Sequence, residues 1–254
     1  MGRCIAVANQ KGGVGKTTTS VNLAAYLANG GSRCLLVDID PQGNSTTGVG
    51  VDKKTLELSI YQVLTGAAEA KDVVVPTPLP NLHLLPADID LAGAEVELVY
   101  LDHRERKLRQ ALKPLKERYD FLIVDCPPSL GLLTVNALVA ADSLLIPIQC
   151  EYYALEGLSQ LMNTYQRIRQ GLNPQLVIEG VLLTMFDSRT NLSIQVVDEV
   201  KKYFRGKVYT VVVPRNVRLS EAPSHGLPIL RYDPRSRGAE VYEELAREVR
   251  AGGR

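Results

Sequence analysis

Short, continuous apolar runs alternate along this chain with amphipathic stretches. Cys4-Ile5-Ala6-Val7-Ala8, Cys34-Leu35-Leu36-Val37, Leu82-His83-Leu84-Leu85, Phe121-Leu122-Ile123-Val124 and Leu144-Leu145-Ile146 read as strands, as do residues 177–183 and 208–213. Strands written as runs rather than alternations are buried on both faces, as in a parallel sheet covered by helices. Helical spacing of apolar positions falls between them, at about 17–28, 91–117, 133–140, 154–170, 192–204 and 237–250. The expected fold is α/β: a single doubly wound, mostly parallel sheet flanked by helices. Pro76-Thr77-Pro78-Leu79-Pro80 is expected to be a loop and not a boundary, because the pattern continues unchanged on either side. One domain over 1–254 is the expectation.

Composition narrows the class without naming a partner. The chain has 254 residues, 45% apolar and 22% charged, with 29 basic against 28 acidic side chains. These are the proportions of an ordinary globule, which excludes disordered, collagen-like and coiled-coil classes. No apolar run of about 18 residues occurs, so no helix is expected to span a membrane. The first residues are too soon interrupted for a signal peptide. The four cysteines lie far apart and mostly inside apolar runs. They read as buried thiols of a reducing compartment rather than a disulfide framework.

The chemistry begins between the first strand and the first helix, at Asn9-Gln10-Lys11-Gly12-Gly13-Val14-Gly15-Lys16-Thr17-Thr18. Glycines let backbone N–H groups wrap phosphate oxygens, and the helix N-terminus beyond adds partial positive charge. Lys16 can reach β and γ phosphates, and the Thr17 hydroxyl can ligate Mg²⁺. The ordinary G-x-x-x-x-G-K-T spacing would need glycine at position 10, where Gln10 stands, and a second lysine, Lys11, precedes the glycine pair. The plainer alternative is a chance glycine-rich turn.

Two further strands end in acids. Leu122-Ile123-Val124-Asp125 has the Walker B form, so Asp125 is expected to hold Mg²⁺, through water. Leu36-Val37-Asp38-Ile39-Asp40 ends the second strand, and if Asp38 belongs to it, Asp38 and Asp40 share a face. Any one of the three could instead cap a following helix.

The lysine-glycine-glycine loop resembles the deviant Walker A loop of the ParA/MinD group of ATPases. The likeness extends over nearly the whole chain, through residues 127–133, 149–157, 214–224 and 232–238, in the form of chromosomal ParA (Soj-type) proteins. It implies ATP or ADP with Mg²⁺ at residues 11–18, Lys11 crossing a homodimer interface to the partner's nucleotide, and Gly12 at the point of closest approach. It implies that Asp40 positions the attacking water, that Asp38 supports the metal shell, and that Pro214 and Asn216 hold adenine. That last loop could also be a plain surface turn. It further implies monomers with ADP, dimers with ATP, slow hydrolysis stimulated by a ParB-type centromere-binding protein, and a cytoplasmic, nucleoid-associated protein.

Charge distribution agrees with nucleic acid as a partner. Residues 185–237 carry ten basic against five acidic side chains, on a chain whose net charge is +1. Such a local excess is the footprint of phosphate-backbone binding. Resemblance points to Arg189 and Arg218 as DNA contacts, with Lys201, Lys202 and Arg205 as weaker candidates that are equally ordinary on a solvated helix. No base-reading helix is visible and no N-terminal helix-turn-helix is expected, so binding to double-stranded DNA should be non-specific and salt-dependent. A MinD-like membrane-cycling ATPase is the main rival. It needs a broad apolar face on a C-terminal amphipathic helix, whereas Val241, Leu245 and Val249 form a narrow stripe suited to packing on the body. An iron–sulfur carrier would pair cysteines, and neither Cys126 nor Cys150 has a Cys-x-x-Cys partner. A metabolic P-loop ligase would leave the basic segment unexplained.

Overall fold

A computed structural model describes residues 2–151 and 156–252. Eight strands form one sheet: β1 (Arg3–Val7), β2 (Cys34–Asp38), β3 (Val75–Pro76), β4 (Leu82–Leu85), β5 (Phe121–Asp125), β6 (Ser143–Gln149), β7 (Val177–Phe186) and β8 (Val208–Pro214). Their order is β3-β4-β2-β5-β1-β6-β7-β8, and every pairing is parallel except that of β3 with β4. β2 and β5 are buried at all positions. Their side chains divide by alternation: Leu35, Val37, Leu122 and Val124 face one core, while Leu36, Phe121 and Ile123 face the other. Strands covered on both sides have no polar face to display, which is why the sequence shows runs.

The helices Leu132–Ala140, Glu156–Gly171 and Asn191–Tyr203 cover one side, and Lys16–Asn29 with Arg237–Arg250 covers the other. These match the expected stretches within a residue or two, although residues 154 and 155 of the expected 154–170 helix lie outside the described residues. The long expected helix 91–117 is instead broken into Leu91–Glu97, Lys107–Leu112 and short 3₁₀ turns. His103 in the left-handed region (φ 54) turns the chain between them. The Pro76–Pro80 loop proves to begin inside the two-residue edge strand β3. Val241, Leu245 and Val249 are buried against helix Lys16–Asn29, as the narrow stripe suggested. Among the described residues no helix is long and apolar enough to cross a membrane.

β1 sits between β5 and β6, and its chain leaves through helix Lys16–Asn29 to reach β2 beyond β5. Crevices at such reversals, above the carboxyl ends of the strands, are where open α/β sheets bind ligands.

Candidate nucleotide site

The loop from β1 to the first helix is held from both sides. Asn9 accepts a hydrogen bond from the Lys11 N–H (3.0 Å) and donates to the Pro147 carbonyl within β6 (2.7 Å). Thr184 on β7 donates to the Val14 carbonyl (2.9 Å). Gly13 and Gly15 take φ of 73° and 90°, which a side chain would strain. No side chain caps the helix that starts at Lys16, so its first N–H groups stay available to an anion. The Lys16 ammonium curls back to donate to the Lys11 carbonyl (3.0 Å). Burial lowers its pKa, while Asp125, Cys126 and Asp40 act to keep the charge.

Asp38 and Asp125 are neighbours in register on β2 and β5, and both are fully buried. Asp125 accepts from Ser20 (3.0 Å), from Ser45 (2.7 Å) and from Thr17. Burial pushes its pKa up to about 6 against those three hydrogen bonds. Asp38 accepts from the Asp40 N–H (3.1 Å) and from both the N–H and hydroxyl of Thr46 (2.8 and 2.9 Å). Burial first, and the Asp125 charge second, push Asp38 up to about 7. Asp40, at the lip, accepts from the Gln42 N–H (2.9 Å) with one oxygen. Among the described residues no three acidic, histidine or cysteine side chains form a protein-only metal cage. The donor set instead suits Mg²⁺, which keeps several waters and takes few protein oxygens: the Thr17 hydroxyl and Asp125 would hold it, and Asp38 would act through its neighbour.

The structure thus brings Lys16, Thr17, Asp40 and Asp125 to one place, with Thr18 and the Gly12–Gly15 backbone around them. Lys11 goes elsewhere. Its ammonium lies 3.7 Å from Glu151, which also binds Arg215 at 2.7 Å. Pro214 ends β8, and Asn216 caps helix Val217–Glu221 by accepting from the Arg218 N–H (2.9 Å). Ser20, Ser45, Thr46 and Glu151 escaped the sequence reading. Ser20 alone carried a readable signal, being one helical turn beyond Lys16.

The basic segment does not form a single surface. Arg189 and Arg218 lie beyond the carboxyl ends of β7 and β8, at the phosphate-loop end of the sheet. Lys201, Lys202 and Arg205 lie at the far end, because helix Asn191–Tyr203 runs back before β8 begins. Arg189 is held by Asp187 at 2.7 Å, and Arg218 by Glu221 at 2.9 Å and Asp233 at 3.5 Å. These guanidinium partners hold Asp187 and Glu221 below the usual carboxylate range.

A family model described as an AAA domain matches residues 2–178. The Bacillus subtilis sporulation initiation inhibitor protein Soj is 64% identical over 253 residues, covering 100% of both chains. The chain belongs to the ParA/Soj family of chromosome-partitioning ATPases. Chromosome partitioning protein ParA of Myxococcus xanthus is 58% identical over 249 residues, covering 98% of this ParA/Soj chain and 88% of that protein. Among solved structures, Mycobacterium smegmatis cobyrinic acid a,c-diamide synthase with a bound ATP analogue and magnesium superposes with a TM-score of 0.88 at 41% identity, over 98% of this chain and 94% of that one. Identity to that synthase is well below the identity of this ParA/Soj chain to the Bacillus subtilis protein.

Proposed function

We propose that this chain is an ATP-dependent switch in chromosome or plasmid segregation. ATP with Mg²⁺ joins two copies through their phosphate loops, and the pair grips double-stranded DNA without reading sequence. Slow hydrolysis, stimulated by a ParB-type centromere-binding protein, separates the copies and releases the DNA. The cell compartment is the cytoplasm, at the nucleoid.

The observation that carries this reading is the divergence of the loop's two lysines. Lys16 turns into the cradle, whereas Lys11 leaves it for Glu151 at the surface. A lysine that its own phosphate site does not use is available to the site of a second copy. Gly12 beside it supports the same arrangement. It is exposed, its φ is not left-handed, and a Cβ there would meet nothing closer than Pro128 Cβ at 3.9 Å. The monomer does not need a glycine at that position, but a second backbone passing close over the loop would.

In this mechanism Lys16 and the helix N-terminus neutralise phosphate charge, and Lys11 adds a cation from the opposite copy. Thr17 and Asp125 would hold Mg²⁺, directly and through water, and the bound ion would supply positive charge beside the phosphate oxygens. Asp40, anchored through one oxygen by Gln42, orients the attacking water. Asp38 keeps Asp125 and the Thr46 segment in register. Pro214 and Asn216 border adenine. Arg189 and Arg218 exchange their intramolecular carboxylates for DNA phosphates. Exposed pairs of that kind are screened by water and worth little, so the exchange meets small resistance. Lys201, Lys202 and Arg205, at the other end of the sheet, become secondary contacts. The membrane reading loses ground because Val241, Leu245 and Val249 are already covered.

The test is binding of Asp40→Ala to random duplex DNA with ATP and then ADP across a salt series. Expected is tight binding with ATP alone, weakening with a log–log slope of about −0.9 per phosphate contact. Equal binding with ADP, or none with either nucleotide, overturns the switch.

A further inference from the structure

Helix Leu91–Glu97 and the turn Leu98–Tyr100 bury Leu91, Ala94 and Leu98 in the core. Their opposite side is apolar too. Ile89, Val96 and Tyr100 are 68%, 65% and 84% exposed, Val99 is 50% exposed, and Ala92 and Gly93 between them are also exposed. Positions 89, 92, 93, 96 and 100 recur at helical spacing, which places them on one stripe. The middle of the stripe is open: a Cβ at Gly93 would meet only Glu97 Oε1, at 3.8 Å. A surface helix that is apolar on both sides marks a contact to be made.

The surrounding charge says with what. Asp88, Asp90, Glu95, Glu97 and Asp102 lie in this segment, and no lysine or arginine occurs between 88 and 102. Arg104 of the next turn reaches the Val99 carbonyl (2.8 Å) but is paired with Glu105 (3.1 Å), so the face stays acidic on balance. We infer that this face docks a basic amphipathic helix of a partner protein. Its apolar side covers Ile89, Val96 and Tyr100, and its cations meet Asp90, Glu97 and Asp102, in the helix-on-groove manner. The inner side of the same helix leads to the nucleotide. Glu95 lies against Gly131, with Oε1 at 3.5 Å from the Leu133 N–H, at the end of the loop that leaves Asp125. A partner seated outside therefore bears on that loop. Only this last consequence, a change in hydrolysis rate, rests on the switch reading, and the docking itself does not.

The probe is a synthetic peptide of about 18 residues, five helical turns, with leucine at helical spacing and lysine elsewhere. Its controls are a peptide of equal composition with the leucines out of register and one with glutamate for lysine. Hydrogen exchange and fluorescence anisotropy are read on the whole chain, without nucleotide and with ATP and Mg²⁺. Expected is protection within 88–102 by the first peptide alone, with affinity lowered about tenfold or more by Val96→Asp with Tyr100→Asp. Both positions are exposed, so the melting temperature of this variant should match the parent's. Protection elsewhere, equal binding of the three peptides, or undiminished affinity in the variant overturns the assignment. So does concentration-dependent self-association that the variant abolishes, which would give the face to a second copy. If the peptide binds as described while ATP-gated DNA binding is absent, the switch reading has failed and this one stands.

Discussion

Gly12 and Gly13 are adjacent, and the structure assigns them different reasons for being glycine. Gly13 has φ +73, whereas Gly12 has a φ open to any residue and an empty space where its Cβ would go. Valine at position 13 must therefore enter the left-handed region, at about 1–2 kcal/mol for an L residue and more for a β-branched one. For a chain of this size that lowers the melting temperature by roughly 2–8 °C. Valine at position 12 meets no such strain, and its methyls have Pro128 Cβ as nearest neighbour at 3.9 Å from Cβ. Its effect on the monomer should stay within ~0.5 kcal/mol, the range of ordinary surface substitutions. The assay pairs calorimetry without nucleotide with light scattering in ATP and Mg²⁺. Gly12→Val should melt with the parent, bind ATP and remain monomeric, whereas Gly13→Val should melt early. If Gly12→Val dimerises normally, no second backbone approaches the loop. If it melts as early as Gly13→Val, the glycine belongs to the monomer fold and the argument for close approach is lost.

Two other consequences follow from the buried charges. Asp38 and Asp125 have folded pKa values of about 7 and about 6, above the 3.8 of an ordinary aspartate. The folded state therefore binds more protons than the unfolded one between pH ~4 and ~7, and these groups take stability away as pH rises through that window. Asp38→Asn should flatten this dependence, so that the difference in melting temperature between variant and parent moves in the variant's favour from pH 5 to pH 8 in nucleotide-free protein. Parallel pH profiles would show that the pair does not share a raised proton affinity. In the proposed mechanism Lys16→Ala removes a buried charged donor to the phosphates, a contact worth about 1.5–3 kcal/mol. ATP affinity measured by fluorescent-nucleotide titration should fall roughly 10-fold to 150-fold, and unchanged affinity would move the phosphate site off this loop.

The sheet was legible because most of its strands are buried on both faces and so announce themselves as apolar runs. β3 was not, being two residues long and containing Pro76, at the edge, where a proline costs no ladder bond. The break in 91–117 falls in the polar run Asp102-His103-Arg104-Glu105-Arg106-Lys107, a gap longer than one helical turn that the expected helix ran through, and His103 turns the chain there by its backbone conformation. Helix Ile60–Thr65 had a readable start in the Ser59 and Gln62 capping box, which the periodicity search passed over. In the candidate site, Lys16 and Thr17 were picked out by spacing, because a phosphate-wrapping loop is contiguous in sequence, and Asp125 by its place at the end of an apolar strand run. Ser45 and Thr46 were not, because their tie to Asp125 and Asp38 is made across the fold. The basic residues of 185–237 were counted correctly yet placed together wrongly. A crossover helix carries Lys201, Lys202 and Arg205 a whole strand length away from Arg189 and Arg218.

The helix that follows the glycine-rich loop is covered by a segment from far downstream in the chain. Thr19 and Tyr242 share a hydrogen bond of 3.1 Å across 223 positions, and Arg250 donates to the Leu27 carbonyl at 2.9 Å. A nascent chain emerging from the ribosome has the whole phosphate loop in hand early, but the floor beneath that loop arrives only with Arg237–Arg250. Until then Leu23, Leu27 and their neighbours have no cover on that side. A chain cut off before Arg237 would therefore carry the loop sequence on a helix whose apolar side is uncovered, and it should hold nucleotide poorly.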